Sequence, residues 1–398
     1  MDRRRLLRSA LGTTFTAALA GCAASLEDRF SDPGSIDGRD PTPLTDGTNA
    51  WPSEGFDAEN TGYNPDAELL EVPPDATAIT GEGSGIETSL GGGVAVAGDR
   101  CYFGSGGDVV CYATTGRRRW AYEADTAAGV RSVPSLAEDV AYVTSDNGTY
   151  ALDAADGEEL WTTDAFVRWG SPVLTEDYLY ALGGSGIVAL DPETGATAWE
   201  ADPPNPRALA VADGTVYMTS TSDDGGAAAV ADGEVVWSRE DVTDCFEPPV
   251  VTDEFVLASS RDGRLTALDR VDGTTVWSHD RGTTGTTQPA VGHGRVYLPR
   301  ETRSRTVCLD LESGESLWTL ETDFYSDQPV AVADGVYFGT PNEGLFAVEP
   351  DGTVRWHDTE LRTDGRMAAV GETLYAVSFG GPFGSGDLHA LTPAEGSD

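Results

Sequence analysis

Apolar and polar positions alternate along this chain in short runs, each broken by a turn rich in Gly, Asp or Ser. Residues 171–199 show the unit: SPVL, a turn around TEDY, then YLYALG, a turn at SG, then IVALD, a turn at PETG, and ATAW. Alternation with period two and Gly/Asp punctuation predicts four half-buried strands. No stretch after the N-terminal segment carries the three-and-four spacing of an amphipathic helix.

The unit repeats. ALDAADGEELW at 151–161, ALDPETGATAW at 189–199, ALDRVDGTTVW at 267–277 and CLDLESGESLW at 308–318 share a strand end, a Gly-containing turn and a tryptophan. The tryptophans that close the units are Trp120, Trp161, Trp199, Trp237, Trp277, Trp318 and Trp356, at spacings of 41, 38, 38, 40, 41 and 38 residues. A period near forty with four strands per unit is the signature of a β-propeller blade. An eighth unit at 367–393 has three strands and stops, while ATAIT at 76–80 precedes the first complete unit. The chain is therefore expected to be all-β, an eight-bladed propeller of four-stranded antiparallel blades. The N-terminal strand completes the last blade and removes an exposed sheet edge.

The phrase A-x-D-x-x-T-G-x-x-x-W is met by Ala189, Asp191, Thr194, Gly195 and Trp199, and it resembles the docking motif of pyrroloquinoline-quinone-type propellers. WPSEGFDAENTGYNP at 51–65 resembles the segment that opens many of them. Three units, CYATTGRRRW, AVADGEVVW and AVEPDGTVRW, depart by shortening the turn. The resemblance covers about 51 to 394. It implies a tryptophan lying flat between blades, with Gly supplying a positive-φ turn residue and Asp bonding its own turn. The motif is adhesive and carries no catalytic group.

Charge changes the picture of where the protein works. The 398 residues include 67 acidic and 25 basic ones, for a formal net charge of −42, and every basic residue is Arg. Such self-repulsion is tolerable where the Debye length shrinks to about 3 Å in molar salt. This points to an extreme halophile, an archaeon, and makes nucleic acid an improbable partner. With 39% hydrophobic residues and nine Trp the chain is too apolar to be a disordered acidic protein.

The first residues read as a targeting device. MDRRRLLRS precedes a short apolar run and LAGC at 19–22, resembling a twin-arginine signal joined to a lipobox that ends in Cys22. The expected organisation is a signal peptide at 1–21, an acidic disordered tether at 22–50, the propeller at 51–394 and a tail at 395–398. Export by the twin-arginine route would leave a monomeric propeller on the outer face of the cell membrane, held by a lipid on Cys22.

Candidate chemistry is sparse. His279, His293, His357 and His389 occupy unrelated blade positions and form no triad, so they read as surface residues. No metal-ligand set is expected; DPETG and TSDDGG lack the spacing of a calcium loop. Cys101 and Cys111 flank one hairpin, yet Cys111 and Cys308 stand where other blades place Ala, which favours small buried thiols over a disulfide. Asn147 in NGT is a glycosylation sequon in a hairpin. The quinone-using dehydrogenases of the resembling family stack their cofactor on a vicinal disulfide, and no adjacent Cys pair exists here.

Strand order sets a ligand site. Residues just before the innermost strands should ring a central funnel: Arg131, Arg168 with Trp169, Arg207, Phe246 with Glu247, Gln288, Tyr325 with Asp327, and Arg366. Arg on three neighbouring blades and Trp169 beside them suit a carboxylate or another polar ligand. The expected function is a lipid-anchored, non-enzymatic binding or scaffold module with a membrane or cell-surface protein partner and no cofactor. The barrel-assembly lipoprotein family of Gram-negative bacteria, to which the architecture is similar, implies the same. The alternative implied by the resemblance is a dehydrogenase using pyrroloquinoline quinone with calcium.

Overall fold

A computed structural model describes residues 34–394 except 81–92, 125, 127–128, 131, 164–169, 185, 223–224, 283, 286, 301–304, 323–327 and 379–385, and omits the side chains of 222, 225, 300 and 364–366. Among the described residues every regular element is a strand. Eight sheets of four antiparallel strands follow one another in chain order. They form blades at 95–123, 135–163, 173–201, 206–239, 250–280, 290–321, 330–358 and 363–392, numbered 1 to 8 here. Asp75–Ala78 supplies the fourth strand of blade 8, antiparallel to Leu388–Thr392 with Thr77 opposite Ala390.

A row of three residues across each of blades 1 to 7 explains the repeated phrase. In blade 2, Tyr142 faces Ala151, and Ala151 faces Trp161. The same row reads Tyr102–Cys111–Trp120 in blade 1 and Tyr297–Cys308–Trp318 in blade 6. The middle residue must be small because a ring leans over it from each side, with centroids 5.8 to 6.1 Å apart in these rows. A β-bulge follows that residue in every row and turns the outer strand.

The row then reaches the next blade. The indole N–H of Trp120 and the hydroxyl of Tyr102 both donate to the carbonyl of Ala154 in blade 2, at 3.2 and 3.1 Å. Trp161 and Tyr142 do the same to Pro192 in blade 3. Trp237, Trp277 and Trp318 reach Arg270, Leu311 and Pro350, each one residue past the turn's acidic residue. The motif glycine lies beneath the ring it receives. A Cβ on Gly157, Gly195, Gly273, Gly314 or Gly352 would come within 2.9 Å of the indole of the preceding blade, and each has positive φ. Glycine is thus required twice over, by conformation and by contact. In blade 4 the fit loosens: a Cβ on Gly233 would stay 3.8 Å from Trp199, which is only half-buried, whereas the shortened turn of blade 7 keeps Gly352 tight against Trp318.

The first blade meets the last differently. Blade 8 has no tryptophan; Ile79, 2% exposed, fills the seam, and Gly116 of blade 1 lies against its carbonyl.

Inner strands leave backbone groups facing the channel, and those groups need partners. The segment 43–67 supplies them as a collar. Ala50–Trp51 pairs with Ala95–Ala97 of blade 1. The carbonyls of Pro52, Ala58, Glu59, Thr61 and Gly62 then accept from Leu136, Val211, Val251, Val291 and Ala331, in blades 2, 4, 5, 6 and 7. Asn64, fully buried, donates to Gly47 and to Ala369 of blade 8.

Two expectations need correction. Residues 34–50 were expected to be part of a free tether, yet they lie along the ring: Ile36 is 3% exposed, its N–H meets Glu193, and Pro43 bridges Ala137. Buried Ile36, the Arg39–Asp153 ion pair and backbone bonds from Asp40, Thr42 and Leu44 hold a segment whose average composition suggested little to bury. His389 is not at the surface but 6% exposed inside Leu388–Thr392, where burial lowers its pKa.

Candidate functional site in the central channel

Strand order places the outer-to-inner connections and the second hairpin turns at one mouth of the channel, opposite the collar. Arg131, Arg168, Trp169, Tyr325 and Asp327 lie outside the described residues, as does Cys22; Arg366 sits in Thr363–Val370 with its side chain outside the description. Of the expected ring, Arg207, Phe246, Glu247 and Gln288 can be placed. The Arg207 guanidinium lies 5.9 Å from the Phe246 ring centroid. Burial lowers the Arg207 pKa, and the Glu247 charge opposes that shift. Glu247 is anchored through its carbonyl, which accepts from the Thr219 hydroxyl at 2.9 Å.

A second cation was not anticipated. Arg261 lies 5.5 Å from the same Phe246 ring, so that one aromatic carries two guanidinium groups. Arg261 belongs to the SRDG turn of blade 5, on the face where second hairpin turns were expected; the signal was the turn's position. Gln288 is 5% exposed, and its amide nitrogen meets no acceptor among the described residues. The same holds for Gln328, its counterpart in blade 7.

Next to this mouth lies a cavity of about 540 Å³. It runs from Gly170, Ala208 and Pro248 at the strand starts to the collar. Its described lining contains apolar and acidic side chains and no Arg, Lys or His. Asp57 of the collar accepts from the Thr61 N–H at 2.8 Å and from the Thr61 hydroxyl. Burial pushes its carboxyl up to about 7 despite those bonds.

The family model described as outer membrane protein assembly factor BamB matches residues 42–208, 183–299 and 282–398. The chain belongs to that family. This BamB-family propeller is 27% identical over 292 residues to the outer membrane protein assembly factor BamB of Yersinia pestis, covering 70% of this chain and 63% of the relative. The match thus spans somewhat under two thirds of that relative's length. Among solved structures, BamB from Moraxella catarrhalis aligns with TM-score 0.60 and 19% identity, over 83% of this chain and 99% of that one. Quinohemoprotein alcohol dehydrogenase from Comamonas testosteroni aligns with TM-score 0.68 and 15% identity, over 87% and 80%. Both likenesses concern the fold.

The remaining candidates in this BamB-family chain are structural or peripheral. Cys101, Cys111, Cys245 and Cys308 are free and buried. Cys101 faces Tyr112 while Cys111 faces Tyr102, so the two thiols point to opposite sides of their sheet. Burial pushes the Cys111 and Cys308 thiols up to about 12, which keeps them protonated. His293 bonds Tyr297 and the Ala333 carbonyl, and His357 stacks on Phe346 with centroids 3.8 Å apart. Asn147 is exposed at its hairpin tip, accessible to a glycan.

Proposed function

We propose that this BamB-family propeller is a non-enzymatic binding and scaffold module. It holds a membrane or cell-surface protein partner, through a carboxylate or other polar group, at the open channel mouth. The observation that carries this reading is the pair Arg207 and Arg261 on Phe246, two cations converging in a chain of net charge −42. Carboxylate recognition by guanidinium groups is directional and tolerates salt better when partly buried. In this reading the chain is exported by the twin-arginine route and tethered outside the membrane by a lipid on Cys22.

The dehydrogenase alternative asks for pyrroloquinoline quinone, a tricarboxylate, together with calcium. The cavity's described lining sets carboxylates and no cation against such a ligand. Among the described residues no group of three or more His, Cys, Asp or Glu is placed to hold a metal. The residues do not fit the cofactor, and no step is derived through it.

The test is crosslinking and pull-down from intact membranes in high salt, comparing wild type with the Arg207→Ala/Arg261→Ala double variant. We expect the variant to retain the fold and lose most of the recovered partner. Equal recovery would overturn the reading. Cys22→Ser should release the protein into the medium, and binding of pyrroloquinoline quinone through gel filtration with calcium would revive the alternative.

A further inference from the structure

The cavity under the collar adjoins the cationic mouth, yet the charge on its described lining is the reverse. Its volume of about 540 Å³ falls within the roughly 300–1,000 Å³ of small-molecule sites. One wall is apolar: Phe56, Val173, Leu174 and Leu209 line it, each under 10% exposed. Glu54, Asp57, Glu59, Glu176 and Asp177 stand around the rest.

The chain's path creates this space. The collar's carbonyls accept an inner-strand N–H from blades 2, 4, 5, 6 and 7. Between Pro52 and Ala58 it lifts away from blade 3, and no described backbone bond joins it to Val173–Leu174. Asp57 sits in the lifted stretch. Other partly buried carboxylates are met by an Arg, as Asp153 is by Arg39 and Asp334 and Glu349 are by Arg355, or by several donors of their own turn, as Asp191 and Asp269 are. Asp213, also on the cavity, is held by Arg270. Asp57 has only the Thr61 N–H and hydroxyl, with no ion pair among the described residues. A partly buried carboxylate without a cation is less stable in its ionised form, and a bound cation would supply what the fold omits.

The geometry points to a binding site for an organic cation on an apolar stem. An ammonium or guanidinium group meets Asp57 and the rim carboxylates while its stem lies on Phe56, Val173, Leu174 and Leu209. A small amine or the basic side chain of a peptide has this chemistry.

The experiment is calorimetric titration of the mature chain, at one fixed salt concentration, with three probes of equal stem: 4-phenylbutylamine, 4-phenylbutanol and 4-phenylbutyrate. The amine should bind about tenfold or more tightly than the alcohol, and the butyrate more weakly than either. Asp57→Asn should lower amine affinity about tenfold and leave the alcohol unchanged. Glu176 and Asp177 are exposed on a turn, so Glu176→Gln/Asp177→Asn carries little folding risk and should lower amine affinity severalfold. Equal binding of amine and alcohol, no amine binding at millimolar concentration, or charge-removing variants without effect would each overturn the proposal.

Discussion

The outer wall and the central channel of this propeller are built on opposite principles. On the wall, a row ending in small residue and tryptophan recurs in blades 1 to 7, and five of those rings land on the next blade's glycine. In the channel, equivalent positions differ: Arg207 in blade 4, Phe246 and Glu247 in blade 5, Gln288 and Gln328 in blades 6 and 7. What repeats is what the blade junctions need, and the channel positions are free to vary from blade to blade. The wall is itself uneven, which allows the comparison to be tested.

The largest effect should come from removing a fully seated ring. Trp161 is 2% exposed and bonds Pro192, so Trp161→Ala should cost about 3–5 kcal/mol in chemical denaturation. Trp199 is half-buried over a shortened turn, and Trp199→Ala should cost about half as much. Equal losses would mean that the glycine contact contributes nothing. Next comes the glycine itself. Gly273→Ala places a Cβ 2.7 Å from Trp237 at φ +72, combining overpacking with backbone strain, for about 2–4 kcal/mol. Gly233→Ala, with 3.8 Å to its ring and 3.1 Å to the Glu200 carbonyl, combines the strain with a mild backbone contact, about 1 kcal/mol.

The channel side is probed by Asn64, whose amide ties Gly47 to Ala369. Asn64→Leu would leave two buried carbonyls without a donor and should cost about 1–3 kcal/mol, measured as a shift in denaturation midpoint. Because the collar closes no blade, we expect the mouth residues Arg207 and Phe246 to keep their stacking in that variant, read by unchanged partner binding.

Blade number, strand order and closure were legible because they rest on local pattern repeated many times. Ala151, Asp153, Gly157 and Trp161 announce a strand end, a turn and a ring wherever they recur. The glycine's second role was not legible, since the ring beneath Gly157 belongs to Trp120, 37 residues earlier in the sequence. The collar was hidden for the same reason. WPSEGFDAENTGYNP has no strand alternation, and its partners are backbone groups of inner strands up to hundreds of residues away. That Arg207 and Phe246 share one mouth follows from strand order alone; the nearness of Arg261 needed the same logic applied to hairpin turns. The cavity's acidity was invisible in a chain that is acidic throughout.

The smallest predicted effect concerns Asp57 and pH. Its carboxyl is pushed up to about 7 by burial, so in the window between its ordinary acid range and pH 7 the folded state binds more protons than the unfolded one. Stability from this group is therefore full at low pH, falls as pH rises through that window and is level above it. Asp57 is only partly buried, so solvent screens the shift and keeps the slope shallow. The measurement is the difference in urea midpoint between wild type and Asp57→Asn from pH 4 to 8, since the neutral variant lacks the titration and cancels the other carboxylates. Urea is required because guanidinium is itself a candidate cation for the cavity. Wild type should lose ground to the variant as pH rises, and saturating 4-phenylbutylamine should flatten the trend by stabilising the ionised carboxylate. A difference that does not change with pH would mean that Asp57 is solvated like the wall carboxylates, and the contrast between wall and cavity would then rest on shape alone.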